Sequence, residues 1–225
     1  MKRFFTKNTL LIGILSFGSW HSFGQGFVNL GFESANLSPV PSGQYGGYVS
    51  TLDAIPGWTA YLGANQVTQI LQNNMTLGDA SIDILGPNWN MGGIIEGQYT
   101  VVLQPGGNGT YISASISQTA VVPANAQSLQ FKAETSSFSV ILGGQNLALI
   151  PLGTGANYTL YGANIPASDA GQSEALTITA LAGPNTTDYF DSFVFSPSSV
   201  PEPATWTLLL CGAGLFGVVR QWRKR

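Results

Sequence analysis

Tyr189-Phe190-Asp191-Ser192-Phe193-Val194-Phe195 (YFDSFVF) and, before it, Ala175–Leu181 (ALTITAL) are apolar runs of strand length, separated by the breaker Gly183-Pro184. Aromatic and β-branched side chains fit a pleated surface, and Gly-Pro stops either strand or helix. The same texture extends back along the chain. Candidate strands are Phe27–Phe32, Gly47–Leu52, Trp58–Leu62, Val67–Leu71, Ala80–Leu85, Gln98–Leu103, Thr110–Val122, Ser128–Glu134, Ser137–Leu142, Asn146–Pro151 and Tyr158–Ala163. Breakers such as Pro56-Gly57, Gly86-Pro87, Pro105-Gly106-Gly107 and Gly143-Gly144 punctuate them, and no segment carries a convincing helical stripe. Many short strands at this spacing predict an all-β sandwich, a jelly roll, over residues 25–195. No internal repeat is visible, so one domain is expected, followed by a short polar linker at 196–200. Pro-Gly-Trp entering a strand assigns Trp58 to the core.

The two ends of the chain differ from this body. Residues 1–24 read as a secretory signal peptide: Lys2, Arg3 and Lys7 precede the apolar run Leu10–Phe17, and Ser22-Phe23-Gly24 supplies small residues before a cut. Cleavage is expected after Gly24, with Gly26 as the alternative. At the other end, Pro201-Glu202-Pro203 is followed by an apolar run from Ala204 to Val219 and a basic tip of Arg220, Arg223, Lys224 and Arg225. That order predicts a short transmembrane helix with a cytoplasmic end. Basic residues at both extremes place the segment between them across the membrane.

Setting these ends aside changes the meaning of the composition. Of the 8 Lys and Arg residues, Lys132 alone falls in the body, where it faces Glu33, Asp53, Asp79, Asp83, Glu96, Glu134, Asp169, Glu174, Asp188 and Asp191. Nucleic acid is thereby excluded as a partner, because nothing cationic replaces the counterions of a phosphate backbone. The single histidine, His21, and the single cysteine, Cys211, both lie in the terminal segments. The body therefore cannot build a Ser-His-Asp triad, a Cys-His pair, an ordinary zinc site or a disulfide. Export without disulfides is consistent with its size, since a domain of this length buries roughly 70% of the surface of its unfolded chain. Asn-X-Ser/Thr triplets at Asn36, Asn74, Asn108, Asn157 and Asn185 reflect an Asn- and Thr-rich composition.

The tail, from Val200 to Arg225, resembles the PEP-CTERM sorting signal of Gram-negative bacteria. Its Pro201-Glu202-Pro203 tripeptide is intact, and Trp206 and Gly212-Ala213-Gly214 fall where such tails carry them. The resemblance implies export through the Sec machinery, membrane anchoring by the tail, processing near the tripeptide by a membrane-embedded exosortase, and a cell-surface or extracellular destination. The alternative is a plain anchor. The body is similar to galactose-binding-like jelly rolls and carbohydrate-binding modules at Asn29-Leu30-Gly31-Phe32-Glu33, Ile55-Pro56-Gly57-Trp58 and Tyr189–Phe195. In such folds the first and last strands are neighbours, which would bring Glu33 and Asp191 together as a structural calcium site; otherwise both are solvated acids at strand ends. No other cofactor is expected.

Trp89 stands in the loop Gly86-Pro87-Asn88-Trp89-Asn90-Met91-Gly92-Gly93, and Tyr45 and Tyr48 stand in a second Gly-rich stretch. Aromatic faces beside Asn88, Asn90 and Asp83 have the chemistry that grips a sugar ring. The competing reading has Trp89 capping the open end of the sandwich. Two functions follow. One is a non-catalytic surface or matrix protein that binds carbohydrate or exopolysaccharide, such as biofilm-forming bacteria produce. The other is a carboxylate-only glycoside hydrolase, for which Glu96 with Asp83 is the pair to test.

Overall fold

The computed structural model describes residues 25–107, 111–134, 137–181 and 186–201. The expected signal peptide and the expected sorting tail beyond Pro201 lie outside them. Among the described residues no helix is long and apolar enough to cross a membrane.

The elements in chain order are β1 (Tyr48–Ser50), α1 (Thr51–Ala54), β2 (Thr59–Leu62), β3 (Asn65–Val67), β4 (Gln69–Gln72), β5 (Ser81–Leu85), β6 (Thr100–Gln104), β7 (Ala114–Val121), β8 (Ser128–Glu134), β9 (Phe138–Leu142), β10 (Gln145–Asn146), β11 (Ile150–Thr154), β12 (Thr159–Asn164), β13 (Ser173–Ala180) and β14 (Asp188–Ser196). They form an 8-stranded sheet, β1-β4-β5-β6-β14-β8-β12-β11, and a 6-stranded sheet, β10-β9-β13-β7-β2-β3. Among the described strands, only β4 and β5 pair in parallel. Traced around the sandwich, the long strands follow β2, β5, β6, β14, β8, β9, β13 and β7 before returning to β2. That order inserts β14 between β6 and β8 and β13 between β9 and β7, the interleaved winding of a jelly roll.

Strand alternation builds the core. In β8, Leu129, Phe131 and Ala133 point inward and are buried, whereas Gln130, Lys132 and Glu134 face out. From the opposite sheet, β9 contributes Val140 and Leu142, and β13 contributes Leu176, Ile178 and Ala180. Burying each large side chain of this kind is worth about 1.5–3 kcal/mol. The pattern YFDSFVF does not alternate simply, and β14 resolves it with a bulge. Its register on β8 shifts between Asp191 and Val194, and Ser192 takes a left-handed φ of 54°. Both Phe190 and Phe193 are thereby buried, Phe193 stacking on Phe131 at 4.9 Å between ring centroids. Trp58 is 4% exposed, packs on Phe32 and Phe193, and donates its indole N–H to Asn29 O.

The outward faces of the two sheets differ. On the 6-stranded sheet, Ser117 of β7 meets its cross-strand partner Thr177 of β13 through a hydroxyl contact of 2.8 Å. On the 8-stranded sheet, every residue of β5 and β6 is buried, outward ones included. Two loops cover them: residues 73–79, whose Thr76 O accepts from Gln104, and residues 86–99, whose Ile95 N–H donates to Thr100 Oγ1.

Several expected strands change form. Phe27–Phe32 is not a strand: Gly26 makes one bridge to Val121, and Asn29 and Phe32 are left-handed. The Gly47–Leu52 run stops at Ser50, whose hydroxyl accepts the Leu52 N–H and caps α1. Val67–Leu71 and Asn146–Pro151 each divide between two strands. The expected linker at 196–200 is docked on the domain. Val200 is 3% exposed, its N–H and carbonyl both bond the Asn164 side chain, and Ser198 O accepts from Ser128 Oγ.

Candidate functional site

A single buried asparagine organises the corner where Tyr45 and Trp89 meet. Asn73, just after β4, is 1% exposed and left-handed at φ 46°. Its carbonyl accepts the Gly46 N–H, while its side chain accepts from Gly86 N–H and donates to Pro87 O. One residue thus fixes the loop that carries Tyr45 and the loop that carries Trp89. Gly46 must lack a side chain, because a Cβ there would lie 2.1 Å from Gln72 O. Asn74 adds a second tie by donating to Gly46 O.

On this base the Tyr45 and Trp89 rings meet edge to face at 6.3 Å. The Tyr45 hydroxyl approaches Met91 Sδ at 3.6 Å. Trp89 closes its own loop by donating its indole N–H to Gly92 O at 2.6 Å. Tyr45 and Met91 are 64% and 63% exposed, and Trp89 is half-buried. Asn88 and Asn90 are exposed beside them, the Asn88 amide donating to Val40 O. Tyr45, Asn88, Trp89 and Asn90 are therefore brought together. Tyr48 is not with them: it borders an open depression of about 420 Å³ with Leu62, Gln66 and Val67.

Asp83 also stands apart, and its expected role as a surface hydrogen-bonding group is corrected by its burial. It is 2% exposed, on the outward face of β5 beneath the 73–79 loop. Oδ2 accepts the Asn74 N–H at 2.8 Å, and Oδ1 is buried without a hydrogen-bond partner. Burial pushes its carboxyl up to about 8, against the opposing pull of backbone donors led by Asn74. Asp83 acts behind the aromatic corner, through Asn74 and Gly46.

Glu33 and Asp191 converge on one segment rather than standing as free acids at strand ends. Glu33 Oε1 accepts the amides of Gln98 (2.9 Å) and Tyr99 (3.1 Å). Asp191, 1% exposed, accepts Thr100 Oγ1–H at 2.8 Å, Glu96 N–H at 3.2 Å and Ser192 N–H at 2.6 Å. Residues 96–100 are thus clasped from both sides. Burial pushes the Asp191 carboxyl up to about 6, with the Thr100 hydroxyl the largest opposing influence. Among the described residues no three His, Cys, Asp or Glu side chains gather as metal donors.

The expected pair Glu96 and Asp83 share no partner. Glu96 bonds Lys132 Nζ at 2.7 Å and Ser192 Oγ–H, and these hold its carboxyl below the usual range, Lys132 first. Lys132 Nζ lies 5.1 Å from the centroid of the Tyr158 ring. Beside it, Glu134, Asn157, Tyr158 and Tyr161 line a recess of about 310 Å³. Asn157 donates to Ile94 O, tying the β11–β12 hairpin to the covering loop. This network was not foreseen in the sequence, although the isolation of Lys132 and the outward phase of Gln130, Lys132 and Glu134 in β8 were a signal for it.

The comparisons with known proteins fall on different parts of the chain. Residues 199–225 match the PEP-CTERM protein-sorting motif, so the chain carries that motif. No curated protein matches the chain. Among solved structures it is similar to the carbohydrate-binding module TmCBM61 in complex with β-1,4-galactotriose, at 14% identity and a TM-score of 0.44, covering 76% of this chain and 97% of that one. It is also similar to a cyclase from Fischerella sp. TAU (18% identity, TM-score 0.44, covering 79% of this chain and 98% of that one). An apo cyclase from Fischerella sp. gives 16% identity and a TM-score of 0.46, with coverage of 79% and 98%. The galactotriose and the cyclase activity belong to those proteins.

Proposed function

We propose that the protein is exported, sorted by an exosortase acting on the Pro201-Glu202-Pro203 tail, and placed at the cell surface or in the extracellular matrix, where its sandwich binds carbohydrate without catalysis. The observation that carries the binding reading is the Tyr45–Trp89 corner: two rings held edge to face on pinned loops, Tyr45 exposed and Trp89 half-buried, with Asn88 and Asn90 at their edge. Rigid aromatic faces stack on the apolar faces of sugars, and neighbouring amides give direction. A neutral or weakly charged glycan suits a body whose one cation, Lys132, is engaged by Glu96.

A hydrolase reading draws support from Glu96 and Asp191, two acids joined through Ser192 whose carboxyls are shifted in opposite directions. Against it, Asp191 is 1% exposed, which leaves no raised carboxyl in reach of a glycosidic oxygen.

Affinity electrophoresis of the exported protein in gels containing galactan, glucan, mannan or xylan separates these readings. Retention on at least one polysaccharide is expected, with Trp89→Ala weakening it about 10-fold, equivalent to ~1.4 kcal/mol. Retention unchanged in that variant, or no retention at all, overturns the corner as a glycan site. Release of reducing ends that disappears in Glu96→Gln replaces binding by hydrolysis. In a host that carries an exosortase, Glu202→Ala is expected to block maturation, and normal maturation would reduce the tail to an anchor.

A further inference from the structure

On the 6-stranded sheet, the turn from β9 to β10 passes through Gly143 and Gly144, both left-handed at φ 56° and 78°. Two acidic side chains reach this turn from nearby chain: Glu174 on β13, and Asp169 in the turn that leads into β13, where the Gln172 N–H bonds Asp169 O. Asp169 is 7% exposed. Its Oδ1 accepts the Ser168 hydroxyl at 3.1 Å, and its Oδ2 is buried with no hydrogen-bond partner. A buried acceptor left in that condition is costly unless something occupies it.

The orphaned oxygen is aimed at a shared point. An atom at the β-carbon position of Gly143 would lie 3.3 Å from Asp169 Oδ2 and 2.9 Å from Glu174 Oε2. Both oxygens therefore converge on a space that exists because residue 143 has no side chain. No cationic side chain is free to enter it: Lys132 is the only base among the described residues, and its Nζ is on Glu96. Hard divalent cations bind carboxylate oxygens, calcium at roughly 2.3–2.6 Å, so an ion bridging both oxygens would sit between them and further out than that point, clear of the Gly143 backbone.

We propose that Asp169 and Glu174 are the protein ligands of a divalent-cation site, calcium in preference to magnesium, seated over Gly143. Calcium suits a partial protein shell better, because it accepts irregular sets of six to eight oxygens while magnesium demands a near-ideal octahedron. Water completes the shell through the half-buried Glu174 side. With two carboxylates the affinity belongs in the range of about 10⁻⁴–10⁻³ M typical of extracellular modules. The site is separate from Glu33 and Asp191, whose oxygens are engaged by the 96–100 segment. It also explains Gly143 twice over, since a Cβ would be strained at that φ and would crowd both ligand oxygens.

Thermal unfolding of the EDTA-treated protein, titrated with calcium or magnesium chloride to 10 mM, tests the proposal. Calcium is expected to raise the midpoint by about 3–5 °C, with a smaller effect from magnesium. Glu174→Gln, at a half-buried position, and Asp169→Asn are both expected to abolish the rise, while Glu33→Gln retains it. If Asp169→Asn does not fold, Glu174→Gln decides alone. Absence of a calcium-dependent rise, an undiminished rise in Glu174→Gln, or loss of the rise in Glu33→Gln with retention in Glu174→Gln overturns the assignment.

Discussion

The Tyr45–Trp89 corner and the floor formed by Thr100, Lys132 and Asp191 belong to the same 8-stranded sheet and its loops, yet they use polar and aromatic residues in opposite ways. In the floor, polar atoms face one another: Asp191 accepts from a hydroxyl and two amides, and the bonds from Thr100 and Glu96 fasten the 96–100 segment to the sheet. At the corner, the polar atoms point backward into the supporting loops, as with Asn88 to Val40 O and Trp89 Nε1 to Gly92 O, and the apolar surfaces are left outside. A buried polar group is retained because its removal strands partners. A half-exposed ring pinned by its own polar edge has no comparable contribution to stability, which is the reason to look there for a ligand.

The largest expected effect that would break this contrast is at Asp191. Replacing it by Ala leaves Thr100 Oγ1 and the amides of Glu96 and Ser192 without their acceptor in a dry setting, with an expected loss of about 3 kcal/mol in urea unfolding. Asp191→Asn keeps one acceptor and should lose less. A cost below about 1 kcal/mol for Asp191→Ala would mean that the floor does not fasten the loop.

Asp83 gives the next effect, and it depends on pH. Its folded carboxyl is raised to about 8 from an ordinary value of 3.8, so the folded state holds a proton that the unfolded chain releases. The stability associated with this group is full below pH ~4 and falls as pH rises toward about 8. Asp191, raised to about 6, steepens the lower part of that fall. Asp83→Asn, which resembles the neutral acid in shape, is expected to flatten the profile between pH 5 and 8 and to exceed the parent in stability at pH 8. An unchanged slope in urea midpoints across that range would show that Asp83 is not the titrating group.

The sandwich was legible because it depends on what a strand cannot hide: short apolar runs with Gly and Pro between them. Ser128–Glu134 matches the expected strand to the residue, since its alternation is unbroken. The apolar content of Phe27–Phe32 predicts a strand, but Asn29 and Phe32 bend it into turns while Phe32 still enters the core, because apolar content records burial and not conformation. The site was legible in part. Trp89 and Tyr45 were visible as large rings in loop composition, and they do meet. An acid near an aromatic loop, as Asp83 is in the sequence, reads as exposed; its outward phase in β5 is covered by a loop folding back, which no local pattern records. The role of Asn73 is hidden from the sequence for a related reason. An asparagine at a strand end reads as a turn residue, and only the tertiary structure reveals that it ties two loops together.

The smallest effect on stability is expected at the corner itself, and its smallness is the point. Trp89 is half-buried and Tyr45 is 64% exposed, so truncating either ring removes a limited apolar area and one edge-to-face contact worth about 0.5–1.5 kcal/mol. The backbone beneath them is held independently by Asn73 and Asn74. Trp89→Ala should therefore unfold within about 1.5 kcal/mol of the parent, and Tyr45→Ala within about 1 kcal/mol, by urea denaturation. Losses of about 3 kcal/mol, equal to that of Asp191→Ala, would make Trp89 a cap on the sandwich and its exposure incidental. Near-parental stability would leave recognition as the role of these rings.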